Sequence, residues 1–98
     1  MLKDTMIEIL RKEKPFLAKE HHISELGLFG SVARGEDTSL SDVDILVEFE
    51  PNARVSLFDL TGTKHYLEDI FRRTVDIVHK KMIKPALRKG ILESVFMV

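Results

Sequence analysis

The sequence predicts an α/β (α+β) fold in which helices cover a small mixed β-sheet of three or more strands. Apolar residues at helical spacing alternate with short apolar runs, in the order α-β-α-β-α-β-α. The composition, 44% hydrophobic and 32% charged over 98 residues, is that of a globular protein. A chain of this length forms one domain, residues 1–98, with one modest core.

The first elements are a long helix, a strand and a short helix. Apolar residues recur at helical spacing through residues 2–20, and Pro15 should kink or split that helix. The stretch "ELGLF" predicts a short strand that ends at Gly30. The next residues, "SVAR", predict a brief helix closed by Gly35, and "EDTSLS" is a polar loop.

The later elements are two strands and two helices. The strand "DVDILVEF" is apolar on both faces, so we expect it to be central in the sheet. Ser56 and Asp59 form an S-x-x-D capping signal for a helix that continues to about Phe71. The stretch "TVDIVH" predicts a third strand, and Pro85 suits the first turn of a last helix. The expected inner stripe of that helix is Leu87, Ile91 and Val95.

Several functional classes are excluded by what the sequence lacks. There is no cysteine, which rules out disulfides and thiolate metal sites. No apolar run approaches the roughly 18 residues that a membrane-spanning helix needs. The first residues, "MLKDTMIEIL", interrupt their apolar pattern with acids and do not form a signal peptide. We therefore expect a cytoplasmic protein without a membrane partner.

Charge is unevenly distributed, although the formal net charge is only −1. Residues 1–71 hold eight Lys and Arg against 14 Asp and Glu, whereas residues 72–98 hold seven against two. An acidic body with a basic end suits a site that joins carboxylates to phosphates, or a charged partner surface. A solvated helix surface explains the same pattern, and both interpretations stay open at this point.

Two aspartates stand at the head of the second strand. Asp42 and Asp44 are two residues apart, so their side chains point to the same face of the sheet. Two adjacent carboxylates repel, and one takes up a proton unless a positive group lies between them. Mg²⁺ supplies such a charge, and it prefers one or two protein carboxylates together with substrate phosphates.

A glycine turn precedes these aspartates. Gly30 and Ser31 follow a strand and open a short helix, where backbone N–H groups and the helix dipole favour an anion such as phosphate. The Ser31 hydroxyl can donate to a phosphate oxygen. Arg34, one turn later, either reaches a triphosphate or forms a structural ion pair. Ser41 is expected to orient the loop that carries Asp42.

The combined pattern G-S-x10-D-x-D resembles the nucleotidyltransferase fold of the DNA polymerase β superfamily. Gly30, Ser31, Asp42 and Asp44 match it position by position. The longer stretches "FGSVARGEDTSLSDVDILVEF" and "VDIVHKKMIKPALRKGILESVFMV" are similar to the minimal nucleotidyltransferases (MNT), so the likeness covers nearly the whole chain. The resemblance implies that Gly30 and Ser31 hold the β- and γ-phosphates of ATP, and that Asp42 and Asp44 bind Mg²⁺, with two ions in all.

The resemblance also implies a third carboxylate on a later strand, and Asp76 fits. It would bind the second ion and take a proton from the acceptor. Val75 and Ile77 share one face of their strand, so Asp76 points to the other. The alternative is a strand-end aspartate that pairs with Arg72 or Arg73.

Relatives of this size pair with a HEPN-family toxin from the neighbouring gene. The resemblance therefore implies an antitoxin that transfers AMP from ATP to a hydroxyl, most simply a tyrosine, of that toxin. Two other functions stay open: a non-enzymatic antitoxin that neutralises its partner by binding, and a nucleotidyltransferase for a small-molecule acceptor. We expect no direct nucleic-acid partner, and self-association stays open.

Overall fold

The computed structural model describes residues 2–98 and has the predicted order of elements, with one strand added at the end. A short 3-10 turn, Lys80–Met82, links the third strand to the last helix. The elements are α1 (Leu2–His21), β1 (Ile23–Phe29), α2 (Gly30–Arg34), β2 (Val43–Phe49), α3 (Leu57–Phe71), β3 (Val75–His79), α4 (Pro85–Ser94) and β4 (Phe96–Met97).

The four strands form one mixed sheet in the order β3-β2-β1-β4. β1 runs antiparallel to both β2 and β4, whereas β2 and β3 are parallel. β2 is therefore bonded on both sides, which confirms its predicted central place. The α/β class with a small mixed sheet is likewise confirmed.

The two faces of the sheet are covered differently. α1 and α3 pack on one face, which we call the α1–α3 face, and bury the larger core there, including Leu10, Leu17, Ile45 and Leu67. On the other face, which we call the α4 face, Phe29, Leu46 and Ile83 form a smaller cluster under α4. None of the helices within residues 2–98 is long and apolar enough to cross a membrane.

The sequence predicts that Pro15 kinks or splits the first helix, and the structure shows that it does not split it. α1 is continuous from Leu2 to His21, and Pro15 lies on its exposed side. Residues on both sides of the proline are held by packing: Leu10 and Leu17 are buried, and Phe16 stacks on Tyr66 of α3 with ring centroids 4.6 Å apart. These contacts hold both halves of the helix against the same surface.

α3 begins at the predicted cap and approaches α1 closely. The Ser56 backbone N–H donates to the Asp59 carboxylate at 3.0 Å. Asp59 also contacts Nδ1 of His21, at the end of α1, at 3.1 Å. A Cβ on Gly62 would lie only 2.6 Å from the His21 ring. Gly62 thus allows this approach, which compensates for its low helix propensity.

The predicted inner stripe of α4 is partly wrong. Ile91 and Val95 pack against the smaller cluster, but Leu87 is 59% exposed because α4 covers only a short stretch of the sheet. β4, which the sequence did not predict, has two residues and so no detectable periodicity. Its neighbour on β1 is Gly27, where a Cβ would lie 2.6 Å from the Met97 sulfur.

Candidate active site

Asp44 and Asp76 are direct neighbours on two parallel strands. The register pairs Asp44 of β2 with Asp76 of β3, and Phe29 of β1 with Asp44. Adjacent strands lie about 4.8 Å apart, and paired residues point to the same face. The structure therefore places Asp76 beside Asp44 on the α4 face, whereas the alternation of Val75 and Ile77 predicted only that Asp76 points to the face opposite theirs.

Asp42 lies on the loop immediately before β2 and is exposed. The structure keeps it close enough for its charge to act on Asp44. Burial, followed by the negative charges of Asp76 and Asp42, raises the pKa of Asp44, and the Arg34 guanidinium partly opposes this rise. A carboxylate in such surroundings is stabilised by a bound cation.

Gly30 is in contact with this group of acids. Its φ of +75° lies in the left-handed region, and a Cβ there would lie 2.0 Å from Oδ2 of Asp44. A larger residue at position 30 would displace the Asp44 carboxylate. This contact requires glycine more strictly than the approach of a phosphate alone would. Ser31 follows as the second residue of α2, and its carbonyl oxygen accepts from the Glu36 N–H at 2.9 Å. Gly35 closes α2 in a left-handed conformation, as predicted.

Arg34 forms an ion pair and also lines a groove, so both interpretations of this residue, a structural ion pair and contact with a triphosphate, stay open. Its Nε lies 3.3 Å from the Glu36 carboxylate in an exposed pair, which alone is worth little. It also lines a groove of about 360 Å³ between α2 and α4, together with Gly30 and Leu87. Gly30 lines this groove and also contacts Asp44, and an anion bound in the groove would meet the Arg34 guanidinium.

The acidic group suits a cation that brings ligands of its own. Within residues 2–98, no three acidic or histidine side chains lie close enough to enclose a metal ion by themselves. Mg²⁺ does not need such a cage, since it keeps waters and takes oxygens from substrate phosphates. The adjacent carboxylates of Asp44 and Asp76, with Asp42 at the rim, fit that mode of binding.

A second arginine near the site was not assigned a role from the sequence. Arg73 was considered only as an ion-pair partner of Asp76, but its Nη1 donates to the backbone carbonyls of Thr38 and Ser41, each at 3.1 Å. The Ser41 hydroxyl accepts from the Thr38 N–H at 2.8 Å, so Ser41 orders the loop before Asp42, as expected. Backbone acceptors carry no sequence signature, which is why Arg73 was missed.

Comparison with known proteins identifies the class to which this fold and site belong. Residues 5–96 match the nucleotidyltransferase domain family, so the chain belongs to that family. A solved structure described as a "putative minimal nucleotidyltransferase" is 34% identical, with a TM-score of 0.78 over 98% of this chain and 95% of that chain. Within the family, this chain is a minimal nucleotidyltransferase.

Two relatives have names that specify an activity. "Putative protein adenylyltransferase MJ1379" of Methanocaldococcus jannaschii is 42% identical and covers 93% of this chain and 92% of the relative. "Protein adenylyltransferase MntA" of Thermococcus cleftensis is 39% identical and covers 92% and 89%, respectively. Both alignments extend over nearly the full length of each protein.

Two more distant structures share the fold. One, a "toxin-antitoxin with AMP-PNP", has a TM-score of 0.69 at 20% identity and covers 99% of this chain and 72% of that chain. The other is a "tri-AMPylated Shewanella oneidensis HEPN toxin in complex with MNT antitoxin", with a TM-score of 0.59 at 18% identity and coverage of 97% and 66%.

Proposed function

We propose that this protein is an Mg²⁺-dependent protein adenylyltransferase that transfers AMP from ATP to a tyrosine hydroxyl of a HEPN-family toxin and so acts as its antitoxin. The observation that carries the proposal is the pairing of Asp44 with Asp76 on adjacent strands of the sheet, with Gly30 in contact with Asp44. The adenylyltransferase names of relatives about 40% identical support the reaction. The MNT–HEPN complex of the same fold supports the kind of partner.

In this proposal the start of α2 holds the triphosphate. The Gly30 and Ser31 N–H groups, together with the Ser31 hydroxyl, face the β- and γ-phosphates. Arg34 has an exposed guanidinium at the same groove and exchanges its weak pair with Glu36 for a phosphate oxygen. Because Asp44 contacts Gly30, it lies beside this triphosphate site.

Two Mg²⁺ ions would be held by the carboxylates of Asp42, Asp44 and Asp76. The two ions would stabilise the charge on the attacking and leaving oxygens. Burial and the neighbouring acids raise the pKa of Asp44 in the free protein, whereas a carboxylate that held the cation would have to be ionised, so a bound cation would oppose this rise.

Asp76 is the proposed proton acceptor. It lies on β3, one strand further from Gly30 than Asp44 does, so in this proposal it is the acid that an acceptor hydroxyl would meet on the side away from the triphosphate. An acceptor hydroxyl that approaches from that side gives its proton to the Asp76 carboxylate as its oxygen attacks. The new oxygen–phosphorus bond forms while the bond to the bridging oxygen of pyrophosphate breaks.

The test is a transfer assay with labelled ATP, Mg²⁺ and the protein encoded by the neighbouring gene. We expect label on the partner, at a tyrosine when the product is digested and sequenced, and no label when EDTA replaces Mg²⁺. Asp44→Asn serves as the matched variant, because it keeps the shape of the side chain and removes its charge. A partner that is neutralised without label, by wild type and Asp44→Asn alike, would make this protein a binding antitoxin.

A small-molecule acceptor is tested in the same assay. If labelled ATP is consumed without the partner and the label appears in a small product, the acceptor is not a protein. We propose the cytoplasm as the place of the reaction, which accords with a chain that lacks cysteine.

A further inference from the structure

The loop that carries Asp42 is tied to the strand that carries Asp76. Arg73 lies three residues before Asp76, in the turn between α3 and β3. Its guanidinium Nη1 donates to two carbonyl oxygens of the loop, Thr38 O and Ser41 O, each at 3.1 Å. The first is exposed and the second is partly buried, so the arginine spans the loop from its surface to its base.

The tie continues on the other side of Asp42. The Val43 N–H donates to the Thr74 carbonyl at 2.9 Å. Asp42 therefore has both of its neighbours, Ser41 and Val43, bonded to the consecutive residues Arg73 and Thr74. The Asp42 side chain is exposed, so these two bonds, and not burial, hold its backbone in place.

The loop is compact, so the bonds from Arg73 restrain it as one unit. Thr38 and Ser41 close a turn through two bonds: the Thr38 N–H donates to the Ser41 hydroxyl at 2.8 Å, and the Ser41 N–H donates to the Thr38 carbonyl at 3.1 Å. Arg73 binds the two ends of that turn. Losing the guanidinium would free the turn as a unit and would move Asp42 with it.

We infer that Arg73 is a positioning residue, which sets the distance between the Asp42 and Asp76 carboxylates by bonding the loop of one to the strand of the other. In this role it acts on the two acids through its bonds to the loop backbone. This inference rests on the proposed function, since it assigns Asp42 and Asp76 to one cation-dependent site. Partners that orient metal-binding side chains typically contribute 10–100-fold to metal affinity or activity.

The test uses three variants of the full chain. Arg73→Gln removes the charge and the long donor. Arg73→Lys keeps one nitrogen that can bridge two carbonyls, as Nη1 does here. Arg72→Gln is the matched control, because Arg72 is the adjacent arginine and is exposed.

The first measurement is the backbone order parameter of residues 38–42 by NMR. We expect values near 0.85 in the wild type, Arg73→Lys and Arg72→Gln, and a fall below about 0.6 in Arg73→Gln alone. Unchanged values in Arg73→Gln would overturn the inference. This measurement needs no nucleotide and no partner, so it is independent of whether AMP is transferred.

The second measurement is the Mg²⁺-dependent part of ATP affinity by calorimetry. We expect Arg73→Gln to lose at least about tenfold, with most of it restored in Arg73→Lys and none lost in Arg72→Gln. A mobile loop with unchanged affinity would overturn the positioning role, since the site would then not depend on the tie. Failure of the proposed function is a different result: in the transfer assay, the wild-type protein would bind Mg²⁺ and ATP but label no partner.

Discussion

The α1–α3 face and the α4 face of the sheet are built from alternate residues of the same strands, yet they have opposite character. In β2, Val43, Ile45 and Val47 are completely buried on the α1–α3 face. The alternate residues on the α4 face are Asp44, Leu46 and Glu48; Leu46 is buried in the smaller cluster, whereas Asp44 and Glu48 are partly exposed. β2 thus contributes only apolar residues to the α1–α3 face, whereas on the α4 face it places one acid on each side of a buried leucine.

The charges on the α4 face form two separate groups along the strands. At one end, Lys80 lies 3.2 Å from Glu25 and 3.7 Å from Glu48, so these acids have a cation supplied by the chain. At the other end, Asp44 and Asp76 are adjacent, and the pKa of Asp44 is raised. The contrast teaches that the first group has its charges balanced by a lysine of the chain, whereas the acids of the second group repel one another, and the proposed Mg²⁺ would relieve that repulsion.

If the second group is catalytic, Asp76→Asn has the largest effect. We expect AMP transfer to fall by about 10²–10⁴-fold, the usual contribution of a general base, while some binding of Mg²⁺ and ATP remains through Asp42 and Asp44. The measurement is the transfer rate, with Asp69→Asn on the exposed side of α3 as the control. An Asp76→Asn protein that transfers AMP normally and melts at a lower temperature would make Asp76 a structural residue.

The α1–α3 face is tested by Ile45→Ala, one residue beyond Asp44. Ile45 is completely buried, so the substitution leaves a cavity, and we expect the free energy of unfolding to fall by about 2–5 kcal/mol. Urea unfolding measures the loss, with Asp44→Asn as its partner variant on the other face. The division between the faces fails if Asp44→Asn destabilises the metal-free protein as much as Ile45→Ala does.

Ser31→Ala tests whether the start of α2 belongs to the second group. Loss of one hydrogen bond to a charged phosphate costs about 1.5–3 kcal/mol, which corresponds to roughly 10–150-fold weaker ATP binding or transfer. Ser39→Ala, in the exposed loop, is the control. Unchanged ATP affinity and transfer rate in Ser31→Ala would remove this hydroxyl from the site.

The smallest effect is on the pH dependence of stability. Because the pKa of Asp44 is raised in the folded protein above its ordinary value of 3.8, the folded state favours the protonated acid. The contribution of Asp44 to stability therefore falls as the pH rises from below 3.8 through the raised pKa, and Asp44→Asn lacks this change.

In EDTA, we accordingly expect the Tm of Asp44→Asn to exceed that of the wild type by an amount that grows with pH across this window and is constant near pH 7. Addition of Mg²⁺ and ATP should reverse the order, because Asp44→Asn lacks one of the three carboxylates proposed to hold the cation. A Tm difference that does not change with pH would show that the burial and the neighbouring acids of Asp44 have no effect on stability.

The features predictable from the sequence were those with a periodicity or a fixed spacing. The helices, the central place of β2 and the orientation of Asp76 away from Val75 and Ile77 follow from the pattern of apolar residues, whereas the pairing of Asp76 with Asp44 depends on the register of two strands. Contacts between distant segments could not be predicted in this way. Leu87 is exposed because α4 covers little of the sheet, and β4 exists because Gly27 leaves room for Met97.

Two site residues show the same limit. Gly30 was predicted from the glycine turn, but the reason for it, contact with the Asp44 carboxylate, depends on how β1 pairs with β2. Arg73 was visible only as one basic residue among several, since its acceptors are backbone carbonyls 32 and 35 residues earlier. A pattern within one segment can indicate that a residue belongs to a site, whereas the distant residue that it contacts is known only from the fold.

The parallel pairing of β2 and β3 has a consequence for how the chain tolerates change in length. The distance between Asp44 and Asp76 is set by the sheet register and not by the 31 residues that separate them. The exposed segment between β2 and α3 can therefore accept insertions at modest entropic cost without moving either carboxylate. New sequence added there would lengthen the surface next to α3 and leave the two acids in place, which makes this turn a suitable point for grafting peptides or labels.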